Sequence, residues 1–293
     1  MAVLEFDDKF FKQLNTLKLS LNLRLNQGMS GMRKSSLKGS SVEFSDFREY
    51  MLGDDLRRID WNAYGRFDKL YIKEFMEEKE GLYRIFVDTS ESMNYGNPPK
   101  ADMARYLAAA FAYLVLNNLD RVYVNTLIED SQTIGKGLSG SNSMKKIIYA
   151  LNNMEFKGGT TLSKSIMSAP LRGKGCAIII SDFMDKEGIE EGLKYLAYAN
   201  QQIVLIEVLS PEEINPTLEG SLNLIDSESD DVVKVSMNRK TLEGYQQTLD
   251  EHRKYIKRLA KKYMASYVSV SSDDDFSRVV FELMMKEGLL FKK

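Results

Sequence analysis

Two short apolar runs in the chain each end in an acid. Residues 83–88 read Tyr-Arg-Ile-Phe-Val-Asp, and residues 177–182 read Ala-Ile-Ile-Ile-Ser-Asp. Neither alternates cleanly between apolar and polar positions, so both predict strands covered on two faces. Residues 100–118 predict a helix that is apolar nearly all round and therefore buried. Residues 122–128, 203–209 and 267–270 predict further strands. Residues 143–154, 186–200 and 239–264 predict helices, and 273–286 a closing one. Strands about 25–50 residues apart, with helices between them, require crossovers and hence a mostly parallel sheet. The expected fold is α/β, doubly wound and Rossmann-like, in three α-β-α layers. Residues 221–225 and 232–236 carry short β patterns around 226–231 and predict a hairpin appended to the sheet.

The first 80 residues follow another pattern. Residues 10–25 are rich in leucine and predict a helix, and 29–41 collect Gly, Ser, Arg and Lys as a loop does. The chain is therefore read as an N-terminal extension, residues 1–80, and a main body, residues 81–293. The extension is expected to pack on the body, because Trp61 and Phe75 need burial. Between Lys9 and Arg48 there are eight basic residues (Lys9, Lys12, Lys18, Arg24, Arg33, Lys34, Lys38 and Arg48) and two acidic ones (Glu43 and Asp46). A solvated face explains this excess more simply than a docking surface for an acidic partner.

Composition removes several function classes. Lys and Arg number 40 against 42 Asp and Glu, which argues against a strongly basic nucleic-acid binder. Cys176 is the only cysteine, so no intrachain disulfide forms, and a reducing, cytoplasmic setting is expected. With His252 as the only histidine, a Cys/His zinc site is excluded. His252 lies in a charged helical stretch and is read as a solvated surface residue, not a hydrolase base. Residues 1–8 carry three acids and no basic start, unlike a signal peptide. The longest apolar run, 106–116, falls well short of the ~20 residues that span a bilayer.

The candidate chemistry lies where a doubly wound sheet places ligands, beyond the carboxyl ends of its strands. The first acid-ending strand runs into Asp88-Thr89-Ser90-Glu91-Ser92, and the other ends in Ser181-Asp182. Between them Gly158-Gly159-Thr160-Thr161 precedes a short helix. Alternate positions of a tight loop converge, which brings Asp88, Ser90 and Ser92 together. All these donors are oxygens suited to a hard divalent cation. Two acids and three hydroxyls supply only five of the six oxygens that Mg²⁺ prefers, so the site should recruit one more anionic oxygen from outside. Turn-forming and helix-capping roles are the alternative for the same residue types.

Asp88-x-Ser90-x-Ser92 with Thr160 and Asp182 resembles the metal-ion-dependent adhesion site of von Willebrand factor type A domains. That resemblance implies Mg²⁺ or Mn²⁺ held by Asp88, Ser90, Ser92, Thr160 and Asp182, with a partner's acidic side chain completing the shell. It implies no catalytic residues. Upstream, Gly53-Asp54-Asp55-Leu56-Arg57-Arg58-Ile59-Asp60-Trp61 and Leu70-Tyr71-Ile72-Lys73-Glu74-Phe75 are similar to the family called domain of unknown function 58. Its members carry a von Willebrand A-like domain after this block. The likeness runs from about residue 31 to the C-terminus, with Leu52, Arg33 and Tyr64-Gly65 departing from the usual pattern. Members commonly accompany MoxR-type AAA+ ATPases, which implies such a partner. In the block itself, Asp54, Asp55 and Asp60 interleave with Arg57, Arg58 and Arg66, as in a structural ion-pair network.

The expected function is thus a non-enzymatic, metal-dependent protein-interaction module working with a MoxR-type AAA+ ATPase in assembly or maturation of another complex. A haloacid-dehalogenase-like phosphatase using Asp88 is the alternative. It wants a second Asp two residues on, where this chain has Ser90. A structural scaffold with a vacant metal site is a third reading. Residues 135–140 fit G-x-G-x-x-G but follow the wrong strand for a nucleotide site, and are read as a glycine-rich turn.

Overall fold

A computed structural model describes residues 8–19, 42–77, 81–128, 133–171, 173–216, 220–225 and 232–292. The chain divides into two units, residues 1–23 with 81–293, and residues 24–80. Residues 1–23 therefore fall with the main body and not with the block that follows them.

The larger unit starts with helix α1 (Asp8–Leu14) and strand β1 (Leu17–Leu19). The leucine-rich start is thus not one helix. Leu17, Leu19, Leu21, Leu23 and Leu25 recur every second residue, which is a strand period, and β1 pairs antiparallel with β12 (Leu290–Lys292). Residues 20–25 lie outside the described residues.

The smaller unit is built from β2 (Val42–Glu49), α2 (Trp61–Phe67) and β3 (Tyr71–Glu77), with β2 and β3 antiparallel. Asp60 caps α2 by accepting from the amides of Asn62 and Ala63 at 2.9 and 3.2 Å. Asp54 takes Arg48 in a fork of 2.7 and 2.9 Å, where the sequence suggested Arg57, Arg58 or Arg66. That guanidinium, with the Met51 amide, lowers the Asp54 carboxyl to about 2. Trp61 is 64% exposed, against the expectation of burial, and makes an edge contact with Tyr64. The Phe75 side chain and residues 29–41 lie outside what is described.

The body is organised by a six-stranded sheet. In chain order its strands are β4 (Leu82–Asp88), β5 (Arg121–Leu127), β6 (Thr133–Leu138), β7 (Gly175–Ser181), β8 (Gln201–Leu209) and β11 (Ser266–Ser271). Their spatial order is β11-β8-β7-β4-β5-β6, all parallel except β6, which runs antiparallel to β5. Side chains alternate between two cores. Ile85, Val87, Ile178, Ile180, Val204 and Ile206 face helices α3 (Lys100–Asn117) and α4 (Met144–Asn152). Phe86, Ala177, Ile179, Ile203 and Leu205 face α5 (Leu162–Ser168), α6 (Glu190–Tyr198) and α8 (Arg239–Lys262). This is the expected three-layer, doubly wound fold. α3 is buried nearly all round, as its composition required.

Three local readings differ. The glycine string at 135–140 enters edge strand β6, with irregular register against β5, instead of forming only a turn. Strands β9 (Gly220–Ile225) and β10 (Val232–Met237) do pair as a hairpin, but as a separate two-stranded sheet. The closing helix begins at Phe276 and is π-helical over Val279–Leu283. Among the described residues no helix is long and apolar enough to cross a membrane.

Candidate metal centre

From β4 the chain winds outward to β5 and β6, then returns to the other side of β4 as β7 and β8. Strand order reverses between β4 and β7, which opens a crevice at their carboxyl ends. Both acid-ending runs finish there. β4 and β7 are neighbours, with Val87 opposite Ile180, so Asp88 and Ser181-Asp182 leave the sheet side by side.

The first loop folds back on its own acid. Asp88 is 1% exposed, and its Oδ1 accepts from the Ser90 amide at 3.0 Å. The Ser181 hydroxyl donates to Asp88 Oδ2 at 2.5 Å. The Ser90 and Ser92 hydroxyl oxygens lie 3.0 Å apart, and Ser92 Oγ donates to Asp182 Oδ2 at 3.1 Å. A continuous set of hydrogen bonds therefore runs Asp88, Ser90, Ser92, Asp182, its first link made by the Ser90 amide. Asp88, Ser90 and Asp182 are buried, whereas Ser92 is half-buried and marks the open side.

The second loop is stitched to the first. The Lys157 amide donates to the Thr89 carbonyl at 2.9 Å, and the Glu91 amide to the Gly158 carbonyl at 2.8 Å. Gly158 sits at φ +71, a left-handed conformation that glycine adopts without steric cost. Thr160 stands apart from the other four candidates, its hydroxyl donating to the Leu127 carbonyl at 2.7 Å. The structure thus brings four of the five candidates into one bonded cluster and places Thr160 on the adjoining loop.

Electrostatics single out Asp88. Burial, and then the charge of Asp182, push its carboxyl up to about 7. Its hydrogen-bond donors are neutral. A buried, all-oxygen, acidic donor set of this kind fits a hard divalent cation such as Mg²⁺ or Mn²⁺.

Four residues join the site that the motif did not include. Ser181 bridges to Asp88, and its oxygen also accepts from the Phe183 amide at 2.9 Å. Asp185 holds the start of α5 through the Leu162 amide at 2.8 Å. Lys100, the first residue of α3, places Nζ 2.6 Å from Asp182 Oδ2 and 2.6 Å from Glu213 Oε1. Glu213 lies on α7 (Pro211–Ile214), directly after β8. A lysine at the start of a helix that follows the first loop was the available signal for Lys100. Nothing local marked Glu213.

Sheet order and crevice define a doubly wound α/β body with a ligand-type crevice at its strand-order reversal. The chain belongs to the family described as "Protein of unknown function DUF58", whose model matches residues 46–255. Uncharacterized proteins of Mycobacterium bovis and Mycobacterium tuberculosis are 26% identical to it over 277 residues, covering 92% of this chain and 87% of each relative. Among solved structures, BatB from Bacteroides thetaiotaomicron superposes with a TM-score of 0.44 at 18% identity, over 71% of this chain and 98% of that one. A von Willebrand factor type A protein from Catenulispora acidiphila gives a TM-score of 0.43 at 13% identity, over 75% and 44% of the two chains.

Proposed function

We propose that this chain is a non-enzymatic protein-interaction module whose contact with its partner passes through a divalent metal, and that the partner is a MoxR-type AAA+ ATPase. The observation that carries the metal is the bonded set Asp88, Ser90, Ser92 and Asp182, in which two acids are buried at one strand-order reversal. The resemblance of the family block to proteins that accompany such ATPases supports the partner.

Each residue has a distinct task. Asp88 is the buried anionic anchor, oriented by Ser181 and by the Ser90 amide. Ser90 and Ser92 present neutral oxygens, and Asp182 closes the set from β7. Thr160 joins through its remaining lone pair. Bound Mg²⁺ or Mn²⁺ would supply an electrophilic centre that accepts a carboxylate from the partner. The half-buried Ser92 and Thr160 leave that carboxylate its approach.

The test uses the intact chain. Asp88→Ala should weaken Mn²⁺ binding by about 100-fold or more, since it deletes the main anionic ligand (about 2.8 kcal/mol at 1.4 per tenfold). Calorimetry with a purified MoxR-type ATPase should then show affinity lost together in Asp88→Ala and in EDTA. Unchanged partner affinity in both would defeat the metal-mediated reading and move attention to the basic segment around Lys9–Arg48, whose binding would weaken with salt.

A further inference from the structure

We infer that Lys100 is the cation the site itself carries: its ammonium holds Asp182 in the metal-free protein, and it must release Asp182 to Glu213's sole keeping of the charge when a divalent cation binds. The inference rests on the metal-binding reading above and adds the residue that sets the affinity.

The placement of Lys100 is unusual for a lysine. Its side chain is 1% exposed, although lysine is almost never fully buried without a partner. It also stands at the first position of α3, where the helix dipole opposes a positive charge. Two carboxylates overcome both penalties, each at 2.6 Å. Against burial, which lowers it, the charges of Asp182 and Glu213 raise the Lys100 pKa, so it is an ammonium.

A charge count follows from the same atoms. With their carboxyls ionised, Asp88, Asp182 and Glu213 contribute three negative charges and Lys100 one positive. The remaining two negative charges match one divalent cation. Lys100 also shares Asp182 Oδ2 with the Ser92 hydroxyl, so it competes at an atom of the candidate ligand set.

Glu213 is built as the second seat. Its Oε2 accepts from the Ser210 amide at 2.7 Å, while Ser210 Oγ accepts from the Glu213 amide at 3.2 Å. This capping box fixes the carboxylate. The Tyr245 hydroxyl donates to the Glu213 carbonyl at 2.9 Å, and so ties α7 to α8. Gly96 lets the loop before α3 close on the same turn: a Cβ there would meet Ser210 Cβ at 2.5 Å. Lys100 can therefore keep Glu213 while it gives up Asp182.

Opposite signs in two variants test this. Lys100→Met removes the resident charge and keeps most of the side chain's bulk, so Mn²⁺ should bind about tenfold more tightly. Glu213→Gln removes the second seat and leaves Lys100 on Asp182 alone, so Mn²⁺ should bind about tenfold more weakly. Lys157→Met and Glu155→Gln make the same charge changes at exposed side chains nearby and should each move the affinity less than about twofold. The readouts are Mn²⁺ titration by calorimetry and the Mg²⁺-induced rise in melting temperature, which should be larger in Lys100→Met than in the unaltered protein. A merely structural Lys100 would give weaker binding in both variants, and that result overturns the inference, as does an unchanged affinity in either. Should Lys100→Met fail to fold, Lys100→Gln takes its place, and Mn²⁺ binding that is not tighter than in the unaltered protein overturns the inference. If the metal affinities shift as stated while partner binding ignores EDTA, the inference stands and the proposed function falls. If neither the unaltered chain nor Lys100→Met takes up metal, both fall.

Discussion

Two buried carboxylates lie close along the carboxyl edge of the sheet, and the protein treats them differently. Glu207 of β8 is 0% exposed and stands opposite Ser181, whose hydroxyl holds Asp88 of β4. Glu207 Oε2 collects Arg253 Nε at 3.2 Å, the Tyr267 hydroxyl at 2.7 Å and the Ser269 hydroxyl at 2.6 Å. A guanidinium from α8 thus neutralises it and pins that helix to β8 and β11. Asp88 is as deeply buried, yet a hydroxyl and an amide are its donors and Asp182 is its charged neighbour. The Glu207 cluster completes its own charge and serves the fold. The Asp88 cluster leaves charge unbalanced at a crevice, which is the condition for binding something.

The largest effect expected from this contrast is on Asp88→Asn in EDTA. The folded carboxyl titrates at about 7 against 3.8 in the unfolded chain. Between those values the folded state holds one more proton than the unfolded state, so stability falls as pH rises and levels off above pH 7 or so. A rise of about three pH units corresponds to at most about 4 kcal/mol. Asp88→Asn should remove that slope and be the more stable protein at pH 8, with the difference vanishing near pH 4. Urea midpoints across this range measure it, and a parent protein with flat stability would show that Asp88 is not crowded as described.

Arg253→Ala should come next and in the other direction. It leaves Glu207 buried beside two hydroxyls with no cation, which costs about 3 kcal/mol for a pair of which Arg253 still reaches solvent. Stability should drop while Mn²⁺ affinity stays put. A drop in both would mean that the two clusters act as one.

The contrast also explains what the sequence could and could not reveal. The strands ending at Asp88 and Asp182 were legible because each combines an apolar run with a terminal acid. Their adjacency followed from winding rules rather than from any residue. The DxSxS spacing marked three ligand candidates because neighbours in a loop are neighbours in space. Lys100 and Glu213 were not legible as site residues. Lys100 meets Asp182 across 82 positions and Glu213 across 113, and only the sheet order brings them together. Arg253 and Glu207 escaped for the same reason. Trp61 misled because large aromatics are usually covered, whereas α2 presents it 64% exposed. Leucine richness over 10–25 suggested a helix and concealed an alternation that, over Leu17–Leu19, is a strand's.

Ser92→Ala should have a smaller effect, confined to the Asp88 cluster. It removes one neutral oxygen and the bond to Asp182 at 3.1 Å, but no charge. Mn²⁺ affinity should fall about fivefold, near 1 kcal/mol, as for loss of one neutral hydrogen-bonding group. Stability should change little, because Ser92 is half-buried in a loop. Calorimetric titration beside Asp88→Ala tests the ranking, and a loss equal to that of Asp88→Ala would make Ser92, not the buried acid, the main anchor.

His252→Ala should have the smallest effect, and it sharpens the reading of its neighbour Arg253. The sequence placed His252 on the solvated side of α8. The structure has it half-buried, with Nε2 buried and without a hydrogen-bond partner. Truncation loses some packing of the ring but also removes a polar atom that burial has stripped of water, and the two oppose each other. The net change should lie within about 0.5 kcal/mol, with no change in Mn²⁺ affinity. Both variants remove a large side chain from adjacent positions of one helix, but only Arg253→Ala strands a buried charge. Equal urea midpoints for the two would show that the cost of Arg253→Ala is lost helix surface, and the account of Glu207 as a self-neutralised cluster would fail. Stabilities separated by the expected 3 kcal/mol or so would assign that cost to the charge.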